Sequence, residues 1–280
     1  MTIENNIILN RTDKKSILID TFYSKEKTNQ PIVIFCHGYK GFKDWGAWNI
    51  MAESIAKGTI CFIKFNFSHN GGTMKNPIDF PDLETFGNNN YTKELDDLHD
   101  VINWIEKHFE NNSHVNTNQI CLIGHSRGGG IAILKASEDN RVKKLITLAS
   151  VSDFGRRTAT VGDLKEWKEE GVKYVLNGRT KQQMPHFYQF YEDFKANEER
   201  LHIKSSTKRL QIPMLIIHGD NDTSVSINEA NELHEWNLNS QLKIIEGADH
   251  VFNSRHPWNS DNLSPELEKA SNFIKGFISK

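Results

Sequence analysis

The chain has 280 residues, 37% of them hydrophobic and 25% charged, with a formal net charge of −2. That length and apolar content allow one large core, or at most two domains. The near-neutral balance provides no basic face for nucleic acid or an anionic membrane, and no apolar run approaches the roughly 18 residues of a spanning helix.

The opening MTIENNIILNRTDKKS lacks a basic stretch followed by a long apolar one, and so does not read as a secretory signal. NIILN and the following SILIDTFY predict a β-hairpin at one edge of a sheet. PIVIFCHG (31–38) reads as a strand ending in a turn, WNIMAESIAKG as a helix closed by Gly58, and ICFIKFNF (60–67) as the next strand. The polar loop over 68–90 is long enough to suggest a functional role. In YTKELDDLHDVINWIEKHF, Leu95, Leu98, Val101, Ile102 and Ile105 share one helix face. A strand over 119–123, a helix over 126–138 and a strand over 144–149 follow.

Over 151–209 the alternation stops, and WKEEGVKYVLNG and HFYQFYEDFKANEERL predict an inserted, mainly helical cap. The core domain is then 1–150 with 210–280. Its rhythm resumes with IPMLIIHG, a helix from Ile227 to Trp236, the strand QLKIIEG and a helix from Pro265. Ser226 with Glu229 predicts a capping box, and Ser264-Pro265 a helix start. The fold class is α/β, with a mostly parallel central sheet covered by helices on both faces. Ligands of such sheets bind at the carboxyl ends of the strands.

Cys36, Cys61 and Cys121 are odd in number and widely spaced, each in or beside an apolar run. They read as small buried hydrophobes in a reducing, cytoplasmic setting, not as a disulfide framework or zinc site. No metal or organic cofactor is expected.

The chemistry centres on Gly124-His125-Ser126-Arg127-Gly128. A bare Gly-x-Ser-x-Gly arises by chance in roughly one chain in ten of this length. Here it follows the apolar ICLI and opens the helix GGIAILKA, the strand–turn–helix setting of a nucleophile elbow. Neither a phosphate-loop Gly-Lys-Ser/Thr nor the dinucleotide spacing is present. A serine nucleophile needs a base. His250, a short loop beyond QLKIIEG, is preferred; His256 is the runner-up, His218 reads as packed or hydrogen-bonded, and His37 as a loop brace. The orienting carboxylate is Asp222 or, less favoured, Asp220, which reads as shaping the turn. The order Ser, acid, His excludes the chymotrypsin and subtilisin arrangements. Backbone N–H groups of Tyr39 and Arg127 are the candidate oxyanion donors.

In these residues and their order the chain resembles the α/β-hydrolases. Within them it is similar to bacterial carboxylesterases of the feruloyl-esterase-like and dienelactone-hydrolase-like groups. It departs from dienelactone hydrolases in having Ser126 where they use cysteine. It lacks the aspartate nucleophile of haloalkane dehalogenases and epoxide hydrolases, and the His-Gly-Gly-Gly motif of the hormone-sensitive-lipase group. The resemblance implies an α/β-hydrolase fold and hydrolysis of a small-molecule ester through an acyl-enzyme. A serine peptidase, thioesterase or acyltransferase would carry the same triad. A non-catalytic binding protein of this fold would typically have lost a member of it. Trp167, Tyr174, Phe187, Tyr188, Phe190, Tyr191 and Phe194 in the cap could line a pocket or pack the cap onto the sheet. Arg156 and Arg157 could meet an anionic substrate or form a solvated pair, and His69 could touch substrate or stabilise its turn. The oligomeric state is not legible.

Overall fold

The computed structural model describes residues 1–159 and 162–280. β1 (Thr2–Arg11) and β2 (Lys14–Tyr23) form the antiparallel hairpin at one edge of the sheet. Partly buried and exposed positions largely alternate along β1, as befits an edge strand with one wet face. β2 is buried from Ile17 onward, because β4 (Cys61–Phe65) pairs with its other edge.

β3 (Gln30–Cys36) leads through α1 (Trp48–Ala56) to β4, and the short α2 (Leu83–Gly87) lies within the polar loop. Then come α3 (Tyr91–His108), β5 (Val115–His125), α4 (Arg127–Glu138) and β6 (Val142–Leu148). After the segment 151–209 the chain returns with β9 (Met214–Gly219), α9 (Ile227–Trp236), β10 (Gln241–Ile245) and α10 (Pro265–Ile278). The sheet is 8-stranded in the order β1-β2-β4-β3-β5-β6-β9-β10, parallel from β4 to β10.

Successive residues of β3 feed two separate cores. Ile32 and Ile34 join one that contains the α3 face, while Val33 and Phe35 join the other beneath α1 and α10. The five predicted apolar residues of α3 are all 0% exposed. Burying such a side chain contributes roughly 1.5–3 kcal/mol relative to leaving it in water. Among the described residues no helix is long and apolar enough to cross a membrane.

One local expectation is extended and another is corrected. The segment 151–209 contains α5 (Phe154–Ala159), α6 (Leu164–Glu170), α7 (Gln189–Ala196) and α8 (Ile203–Arg209), but also an antiparallel pair, β7 (Val172–Leu176) and β8 (Gln183–Phe187). Gly171, left-handed at φ 72, ends α6 and releases the β-rich VKYVL into a strand. The capping box at Ser226 does not form in full. The Ser226 hydroxyl accepts from the Asn228 N–H, but the Glu229 carboxylate turns away to Ser152 and Arg157. The Ser264 cap and Pro265 start of α10 are as expected.

Candidate active site

Ser126 stands between β5 and α4 with φ 55 and ψ −121, backbone angles that a residue with a side chain rarely adopts. The turn is pinned on both sides. The Ser126 N–H donates to the Leu148 carbonyl, and the Ser126 carbonyl accepts from Gly129 and Val151. A Cβ on Gly124 would lie 2.5 Å from the Gly129 Cα, and one on Gly128 would lie 2.5 Å from the His37 carbonyl oxygen. These are backbone atoms and cannot swing aside. Gly124→Ala is therefore expected to cost about 3 kcal/mol or more, lowering Tm by roughly 6–12 °C in a thermal melt. A Tm within about a degree of the parent would contradict this packing.

His250 lies in the loop after β10, and its Nδ1 is 2.7 Å from Asp222 Oδ2. Asp222 follows β9, and its side chain is 0% exposed. Its Oδ1 accepts from the N–H groups of Ser224 and Val225, and His218 Nε2 lies 3.3 Å from its Oδ2. Burial alone would raise the carboxyl pKa, but the hydrogen bonds from His218 and His250 prevail and hold it well below the usual range. Asp220 instead accepts the Gly247 N–H at 2.7 Å and so braces the loop that leads to His250. His256 sits elsewhere, accepting from the Gly46 N–H and packing on Phe42 and Trp45.

The loop after β3 reaches the same place. A Cβ on Gly38 would lie 2.9 Å from the Ser126 Cβ, so only glycine lets this loop close on the elbow. Tyr39 comes next, and Arg127 is the first residue of α4, so the two candidate amide donors flank Ser126. His37 braces the loop as anticipated: Nδ1 donates to the Gly38 carbonyl and Nε2 accepts from the Phe67 N–H. His69 bonds to Ser68 and does not line the cavity.

Two positioning histidines escaped the sequence reading. His125, inside the Gly-x-Ser-x-Gly motif, donates from Nε2 to the His250 carbonyl at 2.8 Å and so ties the elbow to the histidine loop. His186, on β8, accepts from the Tyr39 hydroxyl at 2.9 Å. Neither has a local signal, since each is defined by a partner more than a hundred residues away.

Ser126, Arg127, Tyr39 and His250 open on one cavity of about 390 Å³. Tyr91, Phe154, Trp167 and Phe190 supply aromatic wall, and Lys40 and Arg157 also line it. Of the aromatic residues expected in the cap, Trp167 and Phe190 reach the cavity. Tyr188 and Tyr191 pack on Trp167, Phe194 packs against Tyr91, Phe187 covers Gly87, and Tyr174 is exposed. Arg156 forms a solvated pair with Glu232, while Arg157 pairs with Glu229.

Burial lowers the pKa of His37 to about 4, and that of His125 and of His186 to about 3, from an ordinary 6.5. The unfolded chain takes up these protons below pH 6.5 and the folded chain does not. Stability from these groups is therefore complete above about pH 6.5 and is lost as pH falls toward the folded values, by up to about 2 kcal/mol per histidine at pH 5. Melts at pH 7, 6 and 5 are expected to show a steadily falling Tm; a flat profile would mean that these rings are not held neutral.

The BD-FAE family model matches residues 19–237. Est1E from Butyrivibrio proteoclasticus superposes with a TM-score of 0.72 at 16% identity, covering 99% of this chain and 98% of that one. The esterase domain of a Rhodothermus marinus protein gives 0.66 at 16% identity, over 99% and 98%. Alpha/beta hydrolase domain-containing protein 10 from mouse gives 0.71 at 16% identity, over 100% and 99%. No curated protein matches the chain. The shared architecture is the α/β-hydrolase fold.

Proposed function

For a chain that belongs to the BD-FAE family, we propose a serine hydrolase that cleaves carboxylic esters through an acyl-enzyme. One arrangement carries this reading. A serine in a strained strand–helix turn shares a cavity with a histidine whose Nδ1 is held 2.7 Å from a buried aspartate.

With its Nδ1 proton committed to Asp222, His250 has the Nε2 lone pair left to act as base. Ser126 Oγ attacks the ester carbonyl carbon as His250 takes the hydroxyl proton. The Tyr39 and Arg127 amides hold the oxyanion, each such donor typically contributing about 2.7–4 kcal/mol to transition-state stabilisation. The C–O bond to the alcohol breaks as His250 returns the proton to the leaving oxygen. Water, deprotonated by His250, then attacks the acyl-enzyme, releasing the acid and restoring Ser126. Asp222 stays ionised and stabilises the imidazolium formed in each half. The segment 151–209 serves as a cap over this site. The three buried, unpaired cysteines fit a cytoplasmic protein.

Ferulic acid is bound to Est1E in one similar structure, and aromatic wall in the present cavity supports an aryl group in the substrate. A panel of 4-nitrophenyl esters with methyl ferulate and aminoacyl-4-nitroanilides tests the reading. Ester turnover that requires Ser126 is expected; anilide hydrolysis well above it would make the protein a peptidase.

A further inference from the structure

The cavity wall is cationic. Lys40, Arg127 and Arg157 line it, and among the described residues no aspartate or glutamate does. Each arginine is backed by an acid outside the lining. Glu94 Oε1 lies 3.4 Å from Arg127 Nη1, and Glu229 meets Arg157. Lys40 has no such partner: among the described residues no carboxylate lies within ion-pair distance of its ammonium, which sits 5.0 Å from the centre of the Tyr39 ring. Its backbone is left-handed at φ 53, directly after Tyr39, so the loop that approaches Ser126 also sets the place of this charge. Burial, and then the charge of Arg127, lower the Lys40 pKa. An anion beside the two cations would relieve that repulsion.

We infer that the substrate is an ester bearing a carboxylate, and that Lys40 binds this carboxylate within the cavity that holds Ser126. The inference rests on the esterase reading. With both arginines paired, the Lys40 ammonium is the charge that leaves this partly enclosed, ring-lined space positive. A charge-assisted hydrogen bond from an ammonium is stronger than one between neutral groups. The rings of Tyr91, Phe154 and Phe190 provide apolar surface for the rest of the molecule.

Monomethyl terephthalate and methyl 4-carbamoylbenzoate have nearly the same shape and differ in charge. Calorimetric titration of both into Ser126→Ala reads binding without turnover. The anion is expected to bind about tenfold more tightly. Lys40→Met in that background should abolish the ratio, and Lys40→Arg should keep it. Equal or absent binding of the two compounds, or a ratio that survives Lys40→Met, overturns the proposal. Ser126-dependent hydrolysis of 4-nitrophenyl acetate by the unaltered protein tests the esterase reading by itself, so either can fail alone.

Discussion

Ser126→Ala is expected to lower kcat for 4-nitrophenyl acetate by about 10⁴–10⁶-fold, with KM changed far less. In the proposed mechanism the substitution removes the atom that would form the acyl bond, and it leaves the turn intact. Alanine meets the same backbone strain at φ 55 as serine does, and the hydrogen bonds of the turn come from backbone atoms. Folding should therefore be retained, which a thermal melt checks. What remains is the contribution of the oxyanion donors and of binding. A fluorophosphonate should label the parent at Ser126 and leave the variant unlabelled. Activity within about tenfold of the parent would remove Ser126 from the chemistry.

Asp222→Asn is expected to lower kcat by about 10⁴-fold. Asp220→Asn should stay within about tenfold of the parent, since Asp220 acts on a loop and not on the base. The reason lies in the direction of the hydrogen bonds at Asp222. Its Oδ1 accepts two backbone N–H groups, so an asparagine would keep its carbonyl oxygen there and turn its NH₂ toward His250. The ring would then have to accept at Nδ1 and carry its proton on Nε2, which leaves no base facing Ser126. The carboxyl pKa of Asp222 is depressed in the folded chain, so its stabilising effect is present above the ordinary value of about 4 and lost as pH falls below it. Asp222→Asn should be less stable than the parent at pH 7, with the gap closing in acid. A larger activity loss in Asp220→Asn would move the orienting role to that residue.

The fold was mostly legible because its strands are short apolar runs and its helices carry one apolar face. α3 is the clearest instance, with Leu95 to Ile105 buried as the 3.6-residue period requires. The β7–β8 pair was missed because VKYVL follows a helix-like run, and only the left-handed Gly171 separates the two. Glu229 sat at the capping-box position by spacing, yet the backbone of Ser152 competed for its carboxylate and won.

The elbow could be read from the chain alone, because it is local: a strand, two glycines placed two residues either side of a serine, and a helix. So could the order of Ser126, Asp222 and His250, and the strand ends that carry them. Which groups meet was decided in three dimensions. β9 and β10 are neighbours in the sheet, and that adjacency lets Asp222 reach His250 Nδ1 while Asp220 is spent on the Gly247 N–H. The roles of His125, His186 and Lys40 depend on what lies across the cavity or is missing from it. Hydrogen bonds and unbalanced charges are relations between atoms distant along the chain, and no local pattern of residues encodes them.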